Sequence, residues 1–320
     1  MTGWYLSNTV LIQSTLTTLL LALSIQVPLR AGVFSFAGVG CFGIGGYTAA
    51  IAMTRLGLDT WGAILLGTAL AGLLCFVLGL VIQRLTGLYL GMATVAFTLI
   101  VAVVATNGGQ LTGGASGIFG ALGSLTTGQI ALVVLVVVAL LALSEKGGMG
   151  RRVDTVREDP ELASALGINV GRYRQASFLV SGLIGGLAGG ITTLLRSTIT
   201  PAEVNFHLVV LALTVIIVGG SGSWLGALIG SVILVWMPTV LGFVSAWEDI
   251  VYGVLVALAA VFLPGGVLGL GTETYRRARA RGRGGRRGGD LAAERAEAPP
   301  APPAAQQPSA SAVPARGGLS

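Results

Sequence analysis

The chain runs to 320 residues, 53% of them hydrophobic and only 10% charged, with 50 glycines and a mean hydropathy of +0.85. A soluble domain carries about 25% charged residues, so this composition belongs to an integral membrane protein. The formal net charge of +6 lies in the C-terminal end, since residues 1–275 carry ten Lys/Arg against ten Asp/Glu and residues 276–320 carry nine against three; nucleic-acid binding by the body is thereby disfavoured, and basic residues beside a span mark its cytoplasmic side instead.

In chain order, Asn8 to Val27 is an apolar run with no basic residue before it, which predicts an uncleaved first span rather than a secretory signal. Arg30 follows. Gly32 to Met53 holds glycines at 32, 38, 40, 43, 45 and 46, with Gly57 just beyond; this density suits close helix packing or a broken helix lining a cavity. Trp61 to Gln83 and Gly87 to Thr106, joined by a turn containing Arg84, each supply the roughly 20 residues that cross a bilayer core. Cys41 and Cys75 lie within apolar segments and read as small buried hydrophobes. Asn107 to Gln129 is a charge-free connection rich in Gly, Thr and Ser, and Ile130 to Leu143 is a shorter apolar run.

The polar stretch Ser144 to Gln175 carries Lys146, Arg151, Arg152, Arg157, Arg172 and Arg174 against Glu145, Asp154, Glu158, Asp159 and Glu161. Within it Asp159 suits an N-cap, Pro160 suits a first helical position and Gly167 suits a terminator, predicting a short helix with the apolar face Leu162, Ala165 and Leu166. Ala176 to Leu195 is the next span, followed by a polar connection from Arg196 to Asn205. His207 to Val218, a Gly/Ser break at 219–224, Leu225 to Phe243, a polar turn with Glu248 and Asp249, and Ile250 to Leu270 complete nine hydrophobic segments. From Thr272 onward the composition, basic and then Ala/Pro-rich, predicts a disordered tail attracted to anionic lipid. Placing the polar stretch and the tail in the cytoplasm puts Arg30 and Arg84 inside, and Arg55, Arg196 and the N-terminus outside.

Every charged side chain of the body falls outside these segments, which disfavours proton coupling. No Walker A pattern occurs, and the single lysine, Lys146, leaves the chain without a nucleotide-phosphate site of its own. The sole histidine, His207, has no partner at ligand spacing, and no Ser/His, His/Glu or paired-Asp constellation within the spans suggests an intramembrane enzyme.

Five co-linear blocks carry a resemblance. VREDPELASALGINVGRYR (156–174) is similar to the cytoplasmic loop of the permease subunits of bacterial branched-chain amino-acid ABC transporters. Glu161, Ala163 and Gly167 match the spacing of a looser Glu-Ala-Ala-x-x-x-Gly loop, with Leu162 in place of the first Ala. GVFSFAGVGCFGIGGYTAA (32–50) resembles that family's Gly-rich second segment, departing from it at Phe36 and Ala37. GLYLGMATVAFTLIV (87–101) with LTGGASGI (111–118) resembles the M-type subunit, as do VIIVGGSGSWLGALIGSVIL (215–234) and FLPGGVLGL (262–270), where Gly265 replaces a common Arg.

The resemblance implies an all-α polytopic permease domain over 1–271 and a tail over 272–320, in a bacterial plasma membrane with the loop and tail cytoplasmic. It implies no cofactor on this chain, ATP and Mg being held by partner ATPase subunits. It also implies a second, homologous permease and an extracytoplasmic substrate-binding protein as partners. The substrate would be a leucine-like amino acid or another amino acid, amide or urea. Arg157, Glu158, Asp159, Glu161, Ala163, Leu166 and Gly167 would couple to the ATPases, the charged ones through ion pairs. Gly43, Gly45, Thr112, Gly113, Gly114, Ser116, Gly220 and Ser221, at the Gly-rich breaks, are candidates for the substrate path. The alternative class is a self-sufficient secondary carrier or channel, whose halves show Gly-interrupted segments of the same kind.

Overall fold

The computed structural model describes residues 8–241 apart from 146 and 221. The ninth predicted segment (250–270), the turn with Glu248 and Asp249, the 262–270 block, the tail and Ser221 lie outside the described residues.

Helices take up most of the described chain: α1 Thr9–Arg30, α2 Ala37–Arg55, α3 Thr60–Ile82, α4 Gly87–Asn107, α5 Thr127–Glu145, α6 Gly147–Glu158, α7 Pro160–Ala165, α8 Val170–Arg196, α9 Phe206–Gly219 and α10 Trp224–Leu241. Seven of the described helices are long and apolar enough to cross a membrane, the last counted from Pro201 to Gly219, and α10 adds a shorter apolar one. The protein is all-α and polytopic. Charged residues within the spans lie at or near their ends, as with Arg30, Arg55, Glu145, Arg174 and Arg196.

Glycine is a poor helix former in water, yet α2 is helical through Gly38, Gly40, Gly43, Gly45 and Gly46. In lipid no water competes for the backbone, so helical hydrogen bonding is enforced and the missing side chains become an advantage for packing. The helix α8 packs most extensively on α2 and α3. A Cβ at Gly45 would collide with the Gly186 backbone of α8, and one at Gly185 with the carbonyl of Gly38. Together α2 and α8 are the most buried spans, whereas α4 and α5 turn most of their surface outward. Cys41 and Cys75 are fully buried in this seam.

The ends of the bundle are distinguishable. At one end Arg30 of α1 forms a 2.5 Å ion pair with Glu145 of α5, and Gln175 of α8 donates to the carbonyl of Phe76 in α3. At the other, Arg55 donates to the carbonyl of Gln110, the Ser124 amide donates to Thr60 Oγ1, and the Gly120 amide donates to the carbonyl of Ser197. We refer to these as the Arg30 end and the Arg55 end.

Two features go beyond the sequence expectation. The 107–129 connection is ordered: a 3₁₀ turn at Gly114–Ser116 leads into β1 (Ile118–Phe119), which pairs antiparallel with β2 (Thr198–Ile199), Ile118 opposite Ile199 and Phe119 opposite Thr198. The front of the central polar stretch is also helical, forming α6.

Candidate functional site

At the Arg30 end, α7 forms as the local chemistry requires. One carboxylate oxygen of Asp159 accepts the Glu161 amide at 2.9 Å and the Leu162 amide at 3.0 Å, satisfying donors that the first turn leaves without helical partners. Pro160 occupies the first position, where a missing N–H costs nothing. The C-terminus closes by a Schellman motif: Ile168 N donates to Ala163 O and Gly167 N to Ser164 O, both at 3.0 Å. Gly167 takes the left-handed conformation this demands, with φ +78°.

Of the coupling residues, Ala163 is fully buried and faces its own chain. Leu162 and Leu166 stand 52% and 66% exposed, and Arg157, Glu158 and Glu161 are exposed beside them. The sequence placed Ala165 on the same face, and it too is exposed. Asp159 is engaged in capping. The preceding helix is tied to the bundle: Val156 is buried, and the Arg157 Cα lies 3.1 Å from where a Cβ on Gly32 would stand. The end of α6 thus bears on the turn between α1 and α2. Arg151, Arg152 and Arg172 are exposed. Arg174 differs, with a buried Nε that has no hydrogen-bond partner among the described residues.

The substrate-path candidates do not converge. Gly43 faces Val204, and Gly45 abuts Gly186. Thr112 is buried and donates at 2.6 Å to Ala105 O, pinning the 112–116 loop to the end of α4, with Gly113 and Gly114 at positive φ and Ser116 exposed. Gly220 ends α9 with φ +107°, on the Arg30 side of the bundle.

Among the described residues a cavity opens at each end of the bundle. A cavity of about 480 Å³ at the Arg30 end is walled mainly by apolar side chains such as Leu140, Val180 and Leu187, with the Arg30–Glu145 pair on its lining. A smaller one of about 230 Å³ at the Arg55 end is lined by both apolar and polar groups, Arg196, Glu203 and His207 among the latter. The sequence assigned Arg196 to topology and found no partner at ligand spacing for His207. What it lacked was the three-dimensional proximity of residues 17–21, 42 and 192–211.

A multi-spanning α-helical protein with a capped, outward-facing loop helix at one end and a polar cavity at the other has the form of a membrane permease. The family model for the branched-chain amino acid transport system / permease component matches residues 8–260, and the chain belongs to that family. It is 24% identical over 282 residues to the high-affinity branched-chain amino acid transport system permease protein LivM of Escherichia coli (strain K12), covering 78% of this chain and 66% of that protein. It is 32% identical over 166 residues to the corresponding permease protein LivH of Salmonella typhimurium, covering 50% and 53% respectively. It is also 31% identical over 120 residues to the ribose import permease protein RbsC of Haemophilus influenzae, covering 35% and 37%. This chain thus spans just under two thirds of the length of LivM. These relatives are named for a transport role rather than an enzymatic one. No solved structure matches the chain.

Proposed function

We propose that this chain is a permease subunit of an ATP-binding-cassette importer, forming half of the transmembrane pathway for branched-chain or related amino acids. Separate ATPase subunits, holding ATP and Mg, receive α7. A second permease and an extracytoplasmic binding protein complete the assembly, which sits in a bacterial plasma membrane with the Arg30 end and the basic tail on the cytoplasmic side. Residues 1–271 would form the permease domain. The family match and the names of LivM and LivH support the transported class.

The observation that carries the coupling assignment is the pairing of exposure with rigid attachment in α7. Leu162 and Leu166 are presented to solvent on a helix closed at both ends by hydrogen bonds. The preceding helix, α6, bears through Arg157 on the turn at Gly32. A lever of this kind transmits a push without catalytic groups. Thr112, Gly113, Gly114 and Ser116 at one end and Gly220 at the other fit a path that crosses the whole bundle, whereas Gly43 and Gly45 would act on it by setting how closely the helices approach.

Leu166→Glu places a charge in the apolar contact and is expected to lower ATPase co-purification and ATP-driven leucine uptake by about tenfold or more, as for other interface anchors. Uptake and ATPase recovery equal to wild type would overturn the assignment.

A further inference from the structure

The cavity at the Arg55 end sets two opposite charges on one small lining. Arg196 lies in the last turn of α8 and Glu203 in the 3₁₀ turn Pro201–Glu203. The ion pair formed among the described residues joins Arg30 to Glu145, and Arg196 and Glu203 form none with each other. Opposite charges facing one volume and left apart are suited to a solute that carries both signs.

The rest of the lining agrees with this. Leu21 and Phe42 are buried and, with Leu208 and Leu211, make an apolar wall. Thr17 and Thr192 donate their hydroxyl protons to carbonyls of their own helices, Thr17 to Gln13 O and Thr192 to Ala188 O. Their remaining lone pairs are acceptors, which suits an ammonium group. A volume of about 230 Å³ lies below the ~300–1,000 Å³ of sites for drug-sized ligands and limits the occupant to one small solute.

The wall carrying both charges is also fixed in place. Ser197 takes φ +60°, the one positive φ outside glycine among the described residues, a strained conformation held by its surroundings. Its carbonyl accepts the Gly120 amide at 3.0 Å, the next two residues pair with β1, and Asn205 caps α9 by accepting the Leu208 amide at 3.1 Å. Val204 is buried against Gly43. The loop is thus fastened on both sides of Glu203.

We propose that this cavity binds an α-amino-acid zwitterion with an apolar side chain: carboxylate on Arg196, ammonium on Glu203 and the two threonine hydroxyls, side chain against Leu21, Phe42, Leu208 and Leu211. A lone anion would meet Glu203, a lone cation Arg196, and a neutral sugar would leave both charges without a partner. The site rests on the permease reading for its physiological meaning, but not for its chemistry.

The test is equilibrium binding of tritiated L-leucine to the assembled transporter in nanodiscs, competed with 4-methylpentanoate, which lacks the ammonium, and isopentylamine, which lacks the carboxylate. Wild type is expected to prefer leucine to either fragment by about tenfold or more, as for charge-assisted hydrogen bonds. Arg196→Gln should abolish the preference over isopentylamine and keep that over 4-methylpentanoate; Glu203→Gln should do the reverse. Both positions are at least partly solvent-exposed, and a monodisperse elution profile verifies folding. Leucine binding by both variants within twofold of wild type, or no saturable leucine binding by wild type, overturns the site. Wild-type ATP-driven uptake retained in both variants also overturns it while leaving the permease assignment standing. Failure of wild type to show ATP-driven uptake counts against the permease assignment, and the binding data alone then decide the site.

Discussion

The Asp159 side chain accepts two amides of α7 through one oxygen, so its role is to start the helix before any partner arrives. Asparagine caps about as well as aspartate, whereas removing a cap costs about 0.5–2 kcal/mol of helix stability. Asp159→Asn should therefore keep ATPase coupling near wild type and Asp159→Ala should lose most of it, measured as leucine-stimulated ATP hydrolysis in proteoliposomes. Equal loss in both variants would instead assign the carboxylate to an ion pair with the partner. Gly32 is constrained by its backbone as well as by its neighbour. Its φ is +73°, and a Cβ there would stand 3.1 Å from the Arg157 Cα. Left-handed backbone costs a non-glycine residue roughly 1–2 kcal/mol, and the contact adds to it. Gly32→Ala is expected to lower the melting temperature of the detergent-solubilised protein and to weaken coupling, by displacing α6 rather than by touching a ligand.

Among the elements, α5 is the least buried of the described spans and is held to α1 near both ends, through Gln13 Nε2 to Thr127 Oγ1 at 2.9 Å and through Arg30 to Glu145. The Arg30 and Glu145 side chains keep 21% and 20% of their exposure, so the pair stands between a solvated surface pair, worth about 0–1 kcal/mol, and a buried one. A double-mutant cycle with Arg30→Gln and Glu145→Gln should give a coupling of about 1 kcal/mol, read from thermal unfolding in detergent. The charge-swapped chain, Arg30→Glu with Glu145→Arg, should regain most of it. Strict additivity of the two single changes would show the contact to be incidental.

What the sequence makes legible divides along the same elements. The spans could be read because lipid demands an uninterrupted apolar run with its charges at the ends, and α7 because its cap, proline and glycine each act within a few residues. α6 was missed because Gly147, Gly148 and Gly150 argue against a helix, and only Val153 and Val156 mark its inner face. The β1–β2 link escaped because two-residue strands some 80 positions apart have no periodicity to detect. The zwitterion cavity escaped for a related reason: Thr17, Phe42, Arg196 and Glu203 become neighbours only after α1, α2, α8 and α9 have packed.

Across the whole molecule, each span reverses the direction of the one before, so the charges sort onto two faces. Among the described residues the Arg30 face carries Arg30, Arg84, Arg151, Arg152, Arg157, Arg172 and Arg174, and the Arg55 face carries Arg55 and Arg196. Seven arginines against two is the bias expected of a cytoplasmic face, and it supports the proposed orientation, in which the richer face is the side where ATPases would meet α7. In that orientation the opposite face would present the Arg196 and Glu203 cavity to a delivered solute. This arrangement can be read directly. Cys41 and Cys75 are both buried, so the native chain offers little background to a membrane-impermeant maleimide. Ser164→Cys, on the exposed side of α7, and Ser116→Cys, in the exposed turn at the other end, each add one reactive thiol. Labelling of Ser164→Cys should need inverted vesicles and that of Ser116→Cys right-side-out vesicles. Reaction of both thiols from the same side would break the span alternation itself. The two thiols exchanging sides would keep the fold but turn the molecule over, taking α7 away from the ATPases and the cavity away from an extracytoplasmic donor.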